Sequence, residues 1–226
     1  MRAFFDLIFP ASCVGCQRPS VIACDTCLAP LSALPRPAWP RPSPPGLPPP
    51  FAVAPYDGSV RRLLLAFKEE GVAGLRRPLG RALATAVVSA IGTLDGVRLV
   101  PVPSSAKSRR ERGEDVVRLL AETAARDLRR IGLDATAVPA LRHSRRVRDS
   151  AGLTSAERAA NLADAFVARP VRFDAIASSP VVLVDDLVTT GATLAECAAA
   201  LRQHGVDVLA CATVAATQRR LIASDR

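Results

Sequence analysis

The segment VVLVDDLVTTGAT, residues 181–193, constrains the fold of this chain more than any other. Val181, Val182, Leu183 and Val184 are all apolar, without alternation. That is the pattern of a parallel strand buried on both faces. Asp185 and Asp186 stand at its C-terminal end, and Thr189, Thr190, Gly191, Ala192 and Thr193 form a turn opening a helix that runs to about residue 203. Ligands of open α/β sheets bind at the carboxyl ends of strands. A helix N-terminus there offers unpaired N–H groups and a positive dipole end to a phosphate. Two carboxylates beside an anion seat imply a ligand that also presents a vicinal diol for them to accept from. A ribose 5-phosphate satisfies both halves.

The rest of the chain fits the same architecture. Apolar stretches at 51–54, 98–102 and 206–214 read as strands, and 59–70, 76–91 and 114–131 as helices with apolar residues at helical spacing. Thr154, Ser155, Ala156 and Glu157 form a capping box for a further helix toward residue 163. Strands alternating with helices predict a doubly wound parallel sheet. The longest apolar runs fall short of the ~18 residues that suggest a membrane span. The N-terminal MRAFFDLIFP is interrupted by Asp6 and Pro10, so a short amphipathic helix is expected rather than a signal peptide, and the protein is expected in the cytoplasm.

Cys13, Cys16, Cys24 and Cys27 form C-x2-C-x7-C-x2-C. Two such knuckles supply the four thiolates of a closed, structural zinc site. The segment is too poor in apolar residues to fold by burial alone, whereas zinc contributes about 10–16 kcal/mol in small modules. A disulfide pair or a site that has lost its metal are the alternatives; a reducing cytoplasm argues against the first. Cys197 and Cys211 read as buried small hydrophobes.

Nine of the 19 prolines fall within residues 35–50, where polyproline II or disorder is expected. The chain therefore divides into a four-cysteine zinc-binding module (1–34), a proline-rich linker (35–50) and an α/β domain (51–226). Trp39 is the one linker residue suited to anchoring.

The net charge is +9, and Lys68 and Lys107 are the only lysines among 30 basic residues. This excess favours anionic ligands, phosphates or nucleic acid, without choosing between them. Two arginine-rich segments fall where loops are expected. Residues 101–113 (PVPSSAKSRRERG) hold Ser104, Ser105, Lys107, Arg109, Arg110 and Arg112, and residues 141–162 hold Arg142, His143, Arg145, Arg146 and Arg148. Polyphosphates need several cations, and arginine forks suit them. Glu114 and Asp115 follow the first loop and would repel such a ligand unless they turn away.

Residues 181–193 resemble the ribose-phosphate signature of type I phosphoribosyltransferases. Other features are similar to the ComF (competence protein F) branch of that group: the four-cysteine knuckle, Tyr56-Asp57-Gly58 followed by RRLLLAFKEEG, PVP…RRERG and DSAGLTSAERAANLADAF. The resemblance implies a type I phosphoribosyltransferase-like doubly wound parallel sheet with a small N-terminal zinc-binding module. It also implies Mg-dependent binding of phosphoribosyl pyrophosphate. By position, Asp185 and Asp186 would hold the ribose hydroxyls and Thr189, Thr190, Gly191, Ala192 and Thr193 the 5-phosphate. Ser104, Ser105 and Lys107 would form the pyrophosphate loop. Lys107, Arg110 and Arg112 are candidates for assisting pyrophosphate departure, and residues 142–153 for a closing lid.

Two readings of different class follow. One is a phosphoribosyltransferase acting on an acceptor the sequence does not reveal. The other is a non-catalytic accessory of DNA uptake and competence, binding single-stranded DNA or a helicase partner. Aromatic residues make up 4% of the chain, so any binding of single strands is expected to be mainly electrostatic.

Overall fold

The computed structural model describes residues 12–104, 113–144, 165–169, 176 and 179–217. Expectations for the N-terminal helix, the capping-box helix, the arginine-rich stretches 105–112 and 145–164, and the lid beyond residue 144 lie outside them.

Among the described residues, six strands form the main sheet: β1 (Arg36–Pro37), β2 (Pro50–Pro55), β3 (Gly96–Pro101), β4 (Asp134–Ala137), β7 (Val181–Val188) and β8 (Val208–Ala216). Their order is β1-β2-β8-β7-β3-β4, and every pairing is parallel except the antiparallel β1–β2 edge. Strands β5 (Leu141–His143) and β6 (Phe166–Ala168) make a separate antiparallel pair. The helices are α1 (Asp25–Leu28), α2 (Gly58–Lys68), α3 (Arg76–Ile91), α4 (Val116–Arg130) and α5 (Ala192–Arg202).

Both faces of the sheet are covered, which is why its strands are apolar without alternation. On β7, Val182 and Val184 join the core beneath α2, α3 and α4, while Val181 and Leu183 join the core beneath α5. At one point α3 and α4 come very close. A Cβ on Gly80 would lie 2.5 Å from Thr123 Cγ2, so glycine lets the two helices meet there.

The chain winds outward in both directions from the centre of the sheet. From β3 it passes through α4 to β4 on one side, and from β7 through α5 to β8 on the other. Their neighbouring carboxyl ends therefore form the crevice at which doubly wound folds bind ligands. The two ends are held in register, with Val102 N–H donating to Val184 O at 2.9 Å.

Helix α2 does not serve as a crossover. It starts just past the end of β2, and its last residue, Lys68, reaches Asp186 on β7. Eleven helical residues span about 16 Å, enough to pass β8, since neighbouring strands lie about 4.8 Å apart. α2 thus lies across the carboxyl edge of the sheet.

The cysteine segment sits on this assembly. Leu31 enters the main core, and Ser59 Oγ, in the first turn of α2, donates to Cys27 O at 3.0 Å. The proline-rich stretch is tied down too. Arg36 and Pro37 pair with β2, Leu47 is buried beneath the α5 side of the sheet, and Arg202 Nη2 donates to Gly46 O at 2.8 Å. Trp39 is half exposed. Among the described residues, no helix is long and apolar enough to cross a membrane.

Candidate functional site

Strand β7 continues through the acidic pair to Val188, four residues further than its apolar run. Asp185 and Asp186 therefore point to opposite faces. Asp186 is buried on the α2 side, and both of its oxygens accept from Lys68 Nζ, Oδ1 at 3.1 Å and Oδ2 at 2.9 Å. Asp185 faces the α5 side, where its Oδ1 accepts from Asp186 N–H at 2.8 Å. Burial, and next the charge of Asp186, push the Asp185 carboxyl well above its usual range. Cys197 on α5 and Cys211 on β8 are fully buried, as expected. Burial and then the charge of Asp185 raise both thiols, Cys211 to about 12.

The turn after β7 leads straight into α5. Gly191 is its N-cap, in the left-handed region at φ 74° that glycine enters most readily. Thr190 Oγ1 accepts from Ala192 N–H at 3.4 Å, and Thr217 Oγ1 donates to Thr189 O at 3.4 Å. Thr189 and Thr190 are exposed, whereas Ala192 and Thr193 already belong to the first helical turn. Pro40 and Leu47 of the proline-rich stretch back this turn; a Cβ at 191 would lie 2.8 Å from Leu47 Cδ2 and 3.1 Å from Pro40 Cγ.

On the β3 side, Ser104 is the last described residue before the arginine-rich loop; Ser105, Lys107, Arg110 and Arg112 lie outside the described residues. Asp115 caps α4, accepting from Arg118 N–H at 3.2 Å, and takes the Ser104 hydroxyl at 2.8 Å. The acid that sequence reasoning set against a bound anion is thus used to fix the loop's base. His143 docks β5 there: its Nε2 lies 3.0 Å from Pro103 O, a contact in which the ring nitrogen must donate.

Two groups at this site escaped the sequence. Lys68 is one. Tyr56 is the other; its backbone N–H donates to Ala216 O at the end of β8, at 2.8 Å. The signal for both lay in the Tyr56-Asp57-Gly58…Lys68 stretch, whose place over the sheet edge depends on β2 pairing with β8.

The four cysteines come together as their spacing predicts, with all four sulfurs within 4.8 Å of one another. A tetrahedral zinc ion with bonds of about 2.3 Å separates its ligands by about 3.8 Å, so the cluster fits one. Gly15 is required by the knuckle, since a Cβ there would lie 2.5 Å from Cys27 Sγ. Burial opposes ionisation of Cys13, but hydrogen bonds from Cys24, Cys16 and Gly15 outweigh it and bring the thiol down to about 6. Burial, followed by the neighbouring sulfurs, pushes Cys27 up to about 12. Four thiolates can coexist here only around a cation.

A family model described as phosphoribosyl transferase domain matches residues 144–226, which include β7, α5 and β8. No curated protein matches the chain. The matched residues supply the acidic pair and the glycine-led turn, and parallel pairing with β2 and β3 builds residues outside the match into the same sheet. Residues 144–226 are similar to a phosphoribosyl transferase domain, and the chain carries a four-cysteine cluster capable of holding zinc.

Proposed function

We propose that this protein binds phosphoribosyl pyrophosphate with magnesium at the β7–α5 turn and transfers the phosphoribosyl group to an acceptor, in the manner of a ComF-like member of the group. The observation that carries the reading is one strand–turn–helix unit: an acidic pair on β7, with Asp186 buried and Asp185 partly buried, beside a glycine-led turn at the start of α5. Asp185 and Asp186 would accept from the ribose hydroxyls. The N–H groups and hydroxyls of Thr189, Thr190, Gly191, Ala192 and Thr193 would hold the 5-phosphate. Ser104, Ser105 and Lys107 would meet the pyrophosphate, with Arg110 and Arg112 completing the charge.

In transfer, the C1–O bond breaks and pyrophosphate leaves with the electron pair while the acceptor's lone pair closes on C1. Preorganised cations and N–H donors favour that charge movement in a site that excludes water. Magnesium would lean mainly on ligand oxygens and water. Zinc on Cys13, Cys16, Cys24 and Cys27 would be structural. We place the protein in the cytoplasm and keep 1–34, 35–50 and 51–226 as its zinc module, proline-rich segment and phosphoribosyltransferase-like domain.

The second reading, a competence accessory that binds single-stranded DNA or a helicase, draws on the net charge of +9 and the ComF resemblance. Release of pyrophosphate from phosphoribosyl pyrophosphate across a panel of nucleophiles separates the two. Release that disappears in Asp185→Asn/Asp186→Asn supports transfer. No release, together with salt-sensitive single-strand binding that survives in the double variant, supports the accessory and rejects transfer.

A further inference from the structure

Lys68 holds both oxygens of Asp186, one half of the acidic pair. Each oxygen keeps a second lone pair, but the Asp186 side chain is only 7% exposed, so a ribose hydroxyl reaches it most readily when the ammonium gives up one oxygen. The two partners differ in their freedom to move. The Asp186 side chain is 7% exposed and fixed on the central sheet, whereas that of Lys68 is 37% exposed and sits at the last turn of α2. Lysine is also the cation suited to exchange. It is a point charge on a flexible stem, while arginine would grip a carboxylate through two fixed parallel bonds. Apart from Lys107, every other basic residue in this chain is arginine.

We propose that Lys68 is an exchangeable ligand-binding cation: it neutralises Asp186 in the empty site and passes to the C1 phosphate group of the bound ribose when the diol takes Asp186. This rests on the ribose-phosphate reading of the site and extends it. Stereochemistry supplies the direction of the transfer. In an α-linked ribose 1-phosphate, the C1 oxygen lies on the same face of the ring as the 2- and 3-hydroxyls. An ammonium displaced from the carboxylate by the 2-hydroxyl has that oxygen and its phosphate as its next neighbours. Electrostatics agrees. Burial and then the charge of Asp186 push the Asp185 carboxyl well above its usual range, while the nearby Lys68 ammonium opposes that shift. A polyanion arriving at C1 presents a stronger partner for the same cation.

Lys68 would thereby distinguish a ribose 5-phosphate bearing pyrophosphate at C1 from one with a free C1 hydroxyl. The test is titration calorimetry with phosphoribosyl pyrophosphate and with ribose 5-phosphate, both with magnesium. Wild type, Lys68→Met and Lys68→Arg are compared, with thermal unfolding as the folding control. Lys68→Met is expected to lose affinity for phosphoribosyl pyrophosphate by about 10- to 100-fold, the range for one hydrogen bond to a charged group. Ribose 5-phosphate should change little, and Lys68→Arg should restore part of the preference. If Lys68→Met does not fold, Lys68→Gln carries the same comparison. Equal loss for both ligands would make Lys68 merely structural and overturn the proposal, as would an unchanged preference. A wild type that binds neither ligand would instead refute the ribose-phosphate site itself, and this inference with it.

Discussion

Gly191→Ala perturbs the turn in two separable ways, and both magnitudes follow from the structure. Gly191 sits at φ 74°. Holding alanine in that left-handed region costs roughly 1–2 kcal/mol. The new Cβ would also lie 2.8 Å from Leu47 Cδ2 and 3.1 Å from Pro40 Cγ. Forcing a methyl into a packed site of this kind adds about 1–3 kcal/mol. Restricting the unfolded chain returns about 0.4–1 kcal/mol, leaving a net loss of about 1–5 kcal/mol. Equilibrium unfolding in urea measures it, in wild type and in a Leu47→Ala background. Truncating Leu47 removes the main steric contact, so Gly191→Ala should then cost only the conformational part less the same return, about 0–1.5 kcal/mol. The same cost in both backgrounds would mean that the proline-rich stretch does not press on the turn. A neutral Gly191→Ala would refute the left-handed conformation as well.

Other outcomes follow from single contacts. Gly15→Ala places a Cβ 2.5 Å from Cys27 Sγ, so zinc affinity, measured by competition with a chromophoric chelator, should fall at least about tenfold. Asp115→Ala removes the α4 cap and the Ser104 partner together; thermal unfolding should register a loss of about 1–2 kcal/mol. Asp115→Asn should recover most of it, whereas equal losses would show that the cap does not act through hydrogen bonds. Asp185 faces Cys197 and Cys211 as well as Asp186 and Lys68, and burial followed by the charge of Asp186 raises its folded pKa above the ordinary 3.8. Its stabilising contribution is therefore complete below about pH 4 and is lost as pH rises through the folded value. Asp185→Asn should raise the melting temperature at pH 7, by roughly 2–4 °C per kcal/mol relieved, and the gain should vanish near pH 4; a gain independent of pH would assign the effect elsewhere.

The elements legible in the sequence are those whose signal is local. Helix α3 was expected at 76–91 and occupies those residues, because sixteen residues of helical periodicity average out individual propensities. The apolar start of β7 and the helix behind its glycine were equally plain. Strand β4 was not, since Asp134, Ala135, Thr136 and Ala137 form a short edge strand with only Ala135 fully buried. Strands β5 and β6 are three residues each, too short for a period to register. At the site, the acidic pair and the turn were readable because one segment holds them. Lys68 was not, because it meets Asp186 across 118 residues of sequence. The orientation of Asp115 depended on the packing of α4 against β3, which no local pattern encodes. The proline count likewise ruled out helix without revealing that Leu47 and Pro40 would lodge against Gly191.

The central claim is that Asp185, Asp186 and the turn at 189–193 form a working ribose-phosphate site. Its most direct test is titration calorimetry of the zinc-loaded protein with phosphoribosyl pyrophosphate and magnesium, beside Asp185→Asn/Asp186→Asn. Saturable binding by the wild type, abolished in a folded double variant, is the predicted result. Absence of binding by folded wild-type protein, or equal binding by both, would contradict it.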